Sequence, residues 1–251
     1  MKRFAVFLIL LNGVFAFPPW MVSQATSATS KPDTASHDLL VLQTRIASQE
    51  PLTWVFTGDS VTQGALWTGG LRTYPEIFSE RIRWEMHRNR DIIVNTAISG
   101  NKTADILQDF DWRIAHLHPD VVSLMIGMND CTRGPEGEKA FEENLSQLIA
   151  RIHALGAIPV LHTTSTTLPD PKRTDLPAYN AIIRKVALSQ RLILVDHWQY
   201  WQGNRTAANL NEWLGNAIHP NGLGHIQIAH ELFRTLGIFD PESQTGKFGI
   251  H

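Results

Sequence analysis

Four short polar clusters carry the residue types that acyl-transfer chemistry needs. Gly58-Asp59-Ser60-Val61 offers a serine hydroxyl, and Ala97-Ile98-Ser99-Gly100-Asn101 a backbone amide on a residue without a side chain. Gly127-Met128-Asn129-Asp130 supplies a carboxamide, and Ile218-His219-Pro220-Asn221-Gly222 an imidazole. A serine hydroxyl attacks a carbonyl when a base takes its proton, and the oxyanion that forms needs hydrogen-bond donors aimed at it. Each cluster alone is as readily an ordinary turn.

The elements between the clusters give them a common location. Thr53 to Thr57, Ile92 to Thr96, Val121 to Ile126, Ile158 to Thr163 and Leu192 to Val195 read as five buried strands. Phe141, Leu145, Leu148, Ile149 and Ile152 share a helical face, as do Tyr179, Ile182, Ile183, Val186 and Ala187. Phe78, Ile82 and Met86 form a stripe after Pro75, and Ile226, Ala229, Phe233 and Leu236 another after the histidine cluster. This alternation predicts an α/β fold, a doubly wound three-layer sandwich of flavodoxin-like type with a five-stranded parallel sheet. In such sheets ligands bind beyond the carboxyl ends of the strands, where the first three clusters begin.

Together and in this order, the clusters resemble the four signature blocks of the SGNH (GDSL-type) hydrolase superfamily, over about residues 53 to 236. The resemblance implies Ser60 as nucleophile and His219 as general base. It implies an oxyanion hole made by the N–H groups of Ser60 and Gly100 and the Asn129 side chain. One position departs from the pattern: three residues before the histidine the family usually has aspartate, and this chain has Asn216. In the serine-protease triad the same exchange lowers turnover about 10⁴-fold through the wrong imidazole tautomer. If Asn216 presents its oxygen to the ring, or a backbone carbonyl accepts the Nδ1–H, a Ser–His dyad stays competent. Asp196, just past the fifth strand, is the alternative group to orient His219.

The remaining polar residues near these clusters read as structural. Asp59 and Asp130 are expected to bond turn backbone, and Cys131, the single cysteine, to pack as a small side chain. His116-Leu117-His118 has no third ligand nearby, so no metal or other cofactor is expected. His225 and His230 lie on the last helix as face-filling or solvent-exposed residues rather than catalytic ones. Among the eight tryptophans, Trp67, Trp198, Trp201 and Trp213 are candidates for a stacking surface, and Trp67 for substrate contact.

Composition sets the boundaries. The 251 residues carry a formal charge of -2 with 18% charged residues, which gives no basic footprint for nucleic acid. Met1-Lys2-Arg3 followed by an apolar run from Phe4 to Phe17 reads as a secretory signal over residues 1–25, too short for a permanent span, which needs about 20 apolar residues. Residues 26–37 read as a flexible linker rich in Ser, Thr and Ala, and 38–251 as a single domain. The expected protein is exported to the periplasm or the extracellular space and has no membrane span after signal cleavage. Its partner is a small-molecule or polysaccharide ester. Similarity of residues 67–75 to secreted esterase-like members of the superfamily puts acetyl esters of carbohydrate first. A lipase, lysophospholipase or thioesterase, and a non-catalytic carbohydrate-binding relative, are the other readings.

Overall fold

The computed structural model describes residues 37–64, 66–204 and 206–249. The expected signal and all but the last residue of the expected linker lie outside them. Five strands, β1 (Thr53–Gly58), β2 (Ile92–Asn95), β3 (Val121–Met125), β4 (Ile158–His162) and β5 (Ile193–Val195), pair in parallel in the order β2-β1-β3-β4-β5. The doubly wound sandwich expected from the sequence is present, and the strand bounds agree to within one residue at each end.

Alternation along the strands splits the apolar residues between two cores, because successive side chains leave opposite faces of a sheet. Trp54, Phe56, Val121, Met125 and Val160 pack with α1 (His37–Ala47), α3 (Tyr74–Glu80) and α10 (Gly222–Leu236). Val55, Val122, Leu124 and Leu161 pack with α4 (Thr103–Gln108), α5 (Phe110–Arg113), α6 (Glu138–Ala154) and α7 (Leu176–Gln190). Short helices α2 (Ser60–Gln63), α8 (His197–Gly203) and α9 (Ala207–Trp213) lie in the rim connections.

Two local features differ from the sequence reading. His37 opens α1 rather than closing the linker, and α1 buries Leu42 and Ile46 one turn apart. The stripe of Phe78, Ile82 and Met86 is not one uniform α-helix. After Glu80 it passes into a π turn, Arg81–Glu85, with the Met86 N–H bonded to the Arg81 carbonyl at 3.0 Å. Glu85 sits in that turn and accepts hydrogen bonds from the Thr245 backbone and from Arg81, fastening the C-terminal segment. Among the described residues no helix is long and apolar enough to cross a membrane.

Candidate active site

The strand-to-helix turn at the end of β1 requires a glycine. At Gly58 φ is +155°, and a Cβ would stand 2.1 Å from the Met125 carbonyl oxygen of neighbouring β3. Asp59 then caps α2, its Oδ1 accepting the Val61 N–H at 3.0 Å. Ser60 is the first residue of that helix, so its N–H has no intrahelical acceptor. Asp59 is buried, and burial pushes its carboxyl up to about 7 despite the Val61 N–H.

His219 comes from the other end of the chain. Its Nε2 lies 2.9 Å from Ser60 Oγ, across 159 residues of sequence. The loop that carries it is held on three sides. Gly215 N–H donates to the His219 carbonyl at 2.8 Å, Leu168 N–H to the Ala217 carbonyl at 2.8 Å, and Asn221 caps α10 through Leu223 and Gly224.

The question posed by Asn216 is settled by its neighbours. Asn216 Oδ1 accepts the Ile218 N–H at 2.9 Å and the His219 N–H at 2.8 Å. Only the oxygen of a carboxamide accepts, so these two backbone donors fix which way the side chain faces. The same oxygen is 3.1 Å from His219 Nδ1. Nδ1 must then carry the hydrogen, which leaves the Nε2 lone pair toward Ser60. The useful tautomer is kept without a carboxylate. Burial, and next the positive charge of Arg173, lower the His219 pKa, so the neutral base persists below the usual histidine range.

Asp196 does not reach this ring. It follows β5, three strands from β1, or about 14 Å at ordinary strand spacing. Its carboxylate receives Arg184 at 2.7 and 3.0 Å and Thr163 Oγ1 at 3.0 Å, and it caps α8 through the Gln199 N–H. The alternative orienting group is therefore a structural ion-pair and capping residue.

The two other expected donors stand at the same rim. Gly100 has φ +82° in the turn after β2, with open space where a side chain would project. Asn129 Nδ2 donates to the Asn101 carbonyl at 3.1 Å, and its Oδ1 is 3.4 Å from Arg173 Nη2. Arg173 also donates from Nε to the Met128 carbonyl at 3.1 Å, so it braces the loop after β3. A second brace is Asp130, whose Oδ1 accepts both the N–H and hydroxyl of Thr103. Arg113 is buried beneath these loops and donates to the Thr96 carbonyl and to Asn101. Neither arginine stands out in the sequence: Arg113 lies on a short helix, and Arg173 in a rim loop without a nucleophile or amide cluster.

Trp67 is placed against His219. Its ring stacks on the His219 imidazole with centroids 4.9 Å apart and planes 7° apart, and it is 36% exposed. The other candidate tryptophans do not form a common platform with it. Trp201 is fully buried with Trp213 packed edge-on at 5.1 Å. Trp198 lines a groove of about 620 Å³ with Leu168, Pro169, Arg173 and Leu176 among others, which neither Ser60 nor His219 borders. His225 is buried and accepts the Tyr74 N–H at 3.2 Å, while His230 is hydrogen-bonded to the Thr245 carbonyl. Cys131 is buried, and burial pushes its thiol up to about 12. Among the described residues no group of three or more His, Cys, Asp or Glu is placed to hold a metal ion.

This arrangement can take a proton from a hydroxyl, deliver that oxygen to a carbonyl and meet the resulting oxyanion with N–H donors. The GDSL-like lipase/acylhydrolase family model matches residues 56–226, which include all four clusters. An acetylxylan esterase of Geobacillus stearothermophilus is 28% identical over 234 residues, covering 77% of this chain and 96% of that protein. An uncharacterized protein of Mycoplasma pneumoniae is 31% identical over 104 residues, but these are 40% of this chain and only 12% of that protein. Among solved structures, an acetylxylan esterase from Geobacillus stearothermophilus superposes with a TM-score of 0.66 at 22% identity, covering 77% of this chain and 97% of that one.

Proposed function

Since the chain belongs to the GDSL-like lipase/acylhydrolase family, we propose that it removes acetyl or other short acyl groups from carbohydrate esters through a Ser60 acyl-enzyme. One observation carries this reading: the continuous hydrogen-bond chain from Ser60 Oγ through His219 to Asn216 Oδ1, beside Gly100 and Asn129. Ser60 attacks the ester carbonyl while His219 Nε2 takes its proton. The oxyanion is met by the N–H groups of Ser60 and Gly100 and by Asn129 Nδ2. The proton then goes to the leaving alcohol, and water repeats the sequence on the acyl-enzyme. The fully oriented imidazole favours this over a non-catalytic carbohydrate-binding relative.

The substrate class is supported by the acetylxylan esterase relative, which aligns over nearly its whole length. Export is supported by the pattern of residues 1–25, and the mass of the mature N-terminus from a secreting host tests it. For the activity, purified protein and its Ser60→Ala variant are given acetylated xylo-oligosaccharides and p-nitrophenyl esters of increasing acyl length. Released acetate, lost in Ser60→Ala and falling with chain length, is the expected outcome. Full activity in Ser60→Ala would end the serine mechanism, and preference for long chains would make the enzyme a lipase.

A further inference from the structure

The proton taken from Ser60 turns the His219 ring into a cation, and among the described residues no carboxylate is hydrogen-bonded to that ring. Asn216 offers a neutral oxygen already shared by two backbone N–H groups, and the charge of Arg173 works against the cation. What covers the ring is the face of Trp67, parallel to within 7°. An aromatic face attracts a cation within about 6 Å of its centroid, and indole does so best among the side chains. The fit is specific on both sides. Leu66, just before the tryptophan, is held at φ +69°, in the left-handed region that disfavours an L residue. Gly215, just before Asn216, would bring a Cβ to 2.9 Å from the Trp67 carbonyl oxygen.

We propose that Trp67 is a positioning residue for hydrolysis: its indole face stabilises the His219 imidazolium formed as Ser60 loses its proton, supplying part of what a triad carboxylate supplies where Asn216 only orients the ring. The inference rests on the proposed Ser60–His219 chemistry. In the step concerned the Oγ–acyl carbon bond forms, the carbonyl π pair moves to oxygen, and the Oγ proton passes to Nε2. That proton leaves with the alcohol as the ester C–O bond breaks. The ring is cationic only between these events and during their repeat with water in deacylation, so the stack lowers the barriers without tightening ground-state binding. The groups able to carry charge near the ring are Arg173 from the loop after β4, His225 on α10 and Asp59 beside Ser60.

The test compares Trp67→Leu, which keeps apolar cover without a π face, with Trp67→Phe, which keeps a weaker face. Turnover is measured on p-nitrophenyl acetate, which has no sugar to stack. The His219 pKa is measured by ¹⁵N NMR in a Ser60→Ala background. We expect kcat to fall about 3- to 30-fold in Trp67→Leu with KM little changed, and by less in Trp67→Phe. The imidazole pKa should be lower with Leu than with Phe, and the Leu penalty should shrink in an Asn216→Asp background. Equal losses for Leu and Phe, an unchanged His219 pKa, or a loss confined to KM on sugar esters would each overturn the proposal. Because the NMR titration needs no turnover, absence of esterase activity would defeat the hydrolase reading while leaving the effect of the stack measurable.

Discussion

Replacing Asn216 by aspartate should make the proposed enzyme faster and move its acid limb upward. The oxygen that faces His219 keeps its two backbone donors at 2.9 and 2.8 Å, so the side chain has the same reason to point where it does. The 3.1 Å contact to Nδ1 then becomes a charge-assisted bond in the protonated state. Such bonds contribute about 1–2 kcal/mol more than neutral ones. That difference corresponds to about a 5- to 30-fold gain in kcat/KM and raises the imidazole pKa by about one unit. In the wild type, burial and Arg173 hold His219 below its usual range, so the neutral base survives into mildly acidic solution. The variant should be better at neutral pH and lose activity at a higher pH on acidification. The assay is kcat/KM for p-nitrophenyl acetate from pH 4 to 8. A slower variant, or an acid limb that does not move, would refute the argument that the amide already fixes the tautomer and lacks only charge.

Two further outcomes follow from the structure. Asp196→Ala should retain wild-type turnover while lowering stability by about 1–3 kcal/mol in urea titration, because its carboxylate serves Arg184, Thr163 and the α8 cap. Asp59→Asn should be more stable than wild type at pH 8, with the gap closing toward pH 4. The folded carboxyl titrates at about 7 against 3.8 as the ordinary value, so only the unfolded chain ionises at intermediate pH, and wild-type stability drops as pH rises through that window. The full penalty is at most about 4 kcal/mol, and thermal melts of both proteins across pH 4 to 8 measure it.

The sheet was legible because buried parallel strands need uninterrupted apolar runs, and the first three rim clusters followed because each begins where such a run stops. Helix α1 was harder to see. Leu42 and Ile46 have helical spacing, but they adjoin a stretch whose composition argues for no structure at all. At the candidate site, Ser60, Gly100, Asn129 and His219 could be picked out by type and order as residues that would stand at one rim. Their braces could not, since Arg173 and Arg113 act through contacts 12 to 56 residues away in sequence. The orientation of Asn216 was equally hidden, because it depends on two backbone N–H groups whose direction exists only once the loop is closed. Asp196 misled for the opposite reason: position after a strand puts a residue at the rim but not at a particular place along it. Trp67 was legible as a rim aromatic, whereas its stack on the His219 imidazole was not.

The 159-residue separation between Ser60 and its base has a consequence for the chain before it is finished. The turn that carries Ser60 lies between β1 and α2, whereas His219 lies on the loop before α10, so the group proposed to activate the serine comes from a segment late in the chain. A nascent or partly unfolded chain therefore holds an inert hydroxyl, since His219 reaches it only when α10 docks on the sheet. Under the proposed mechanism the reactivity of Ser60 is thereby coupled to completion of the fold. Fluorophosphonate labelling of Ser60 would then serve as a clock for the final docking step, ahead of any probe that reports on the sheet alone.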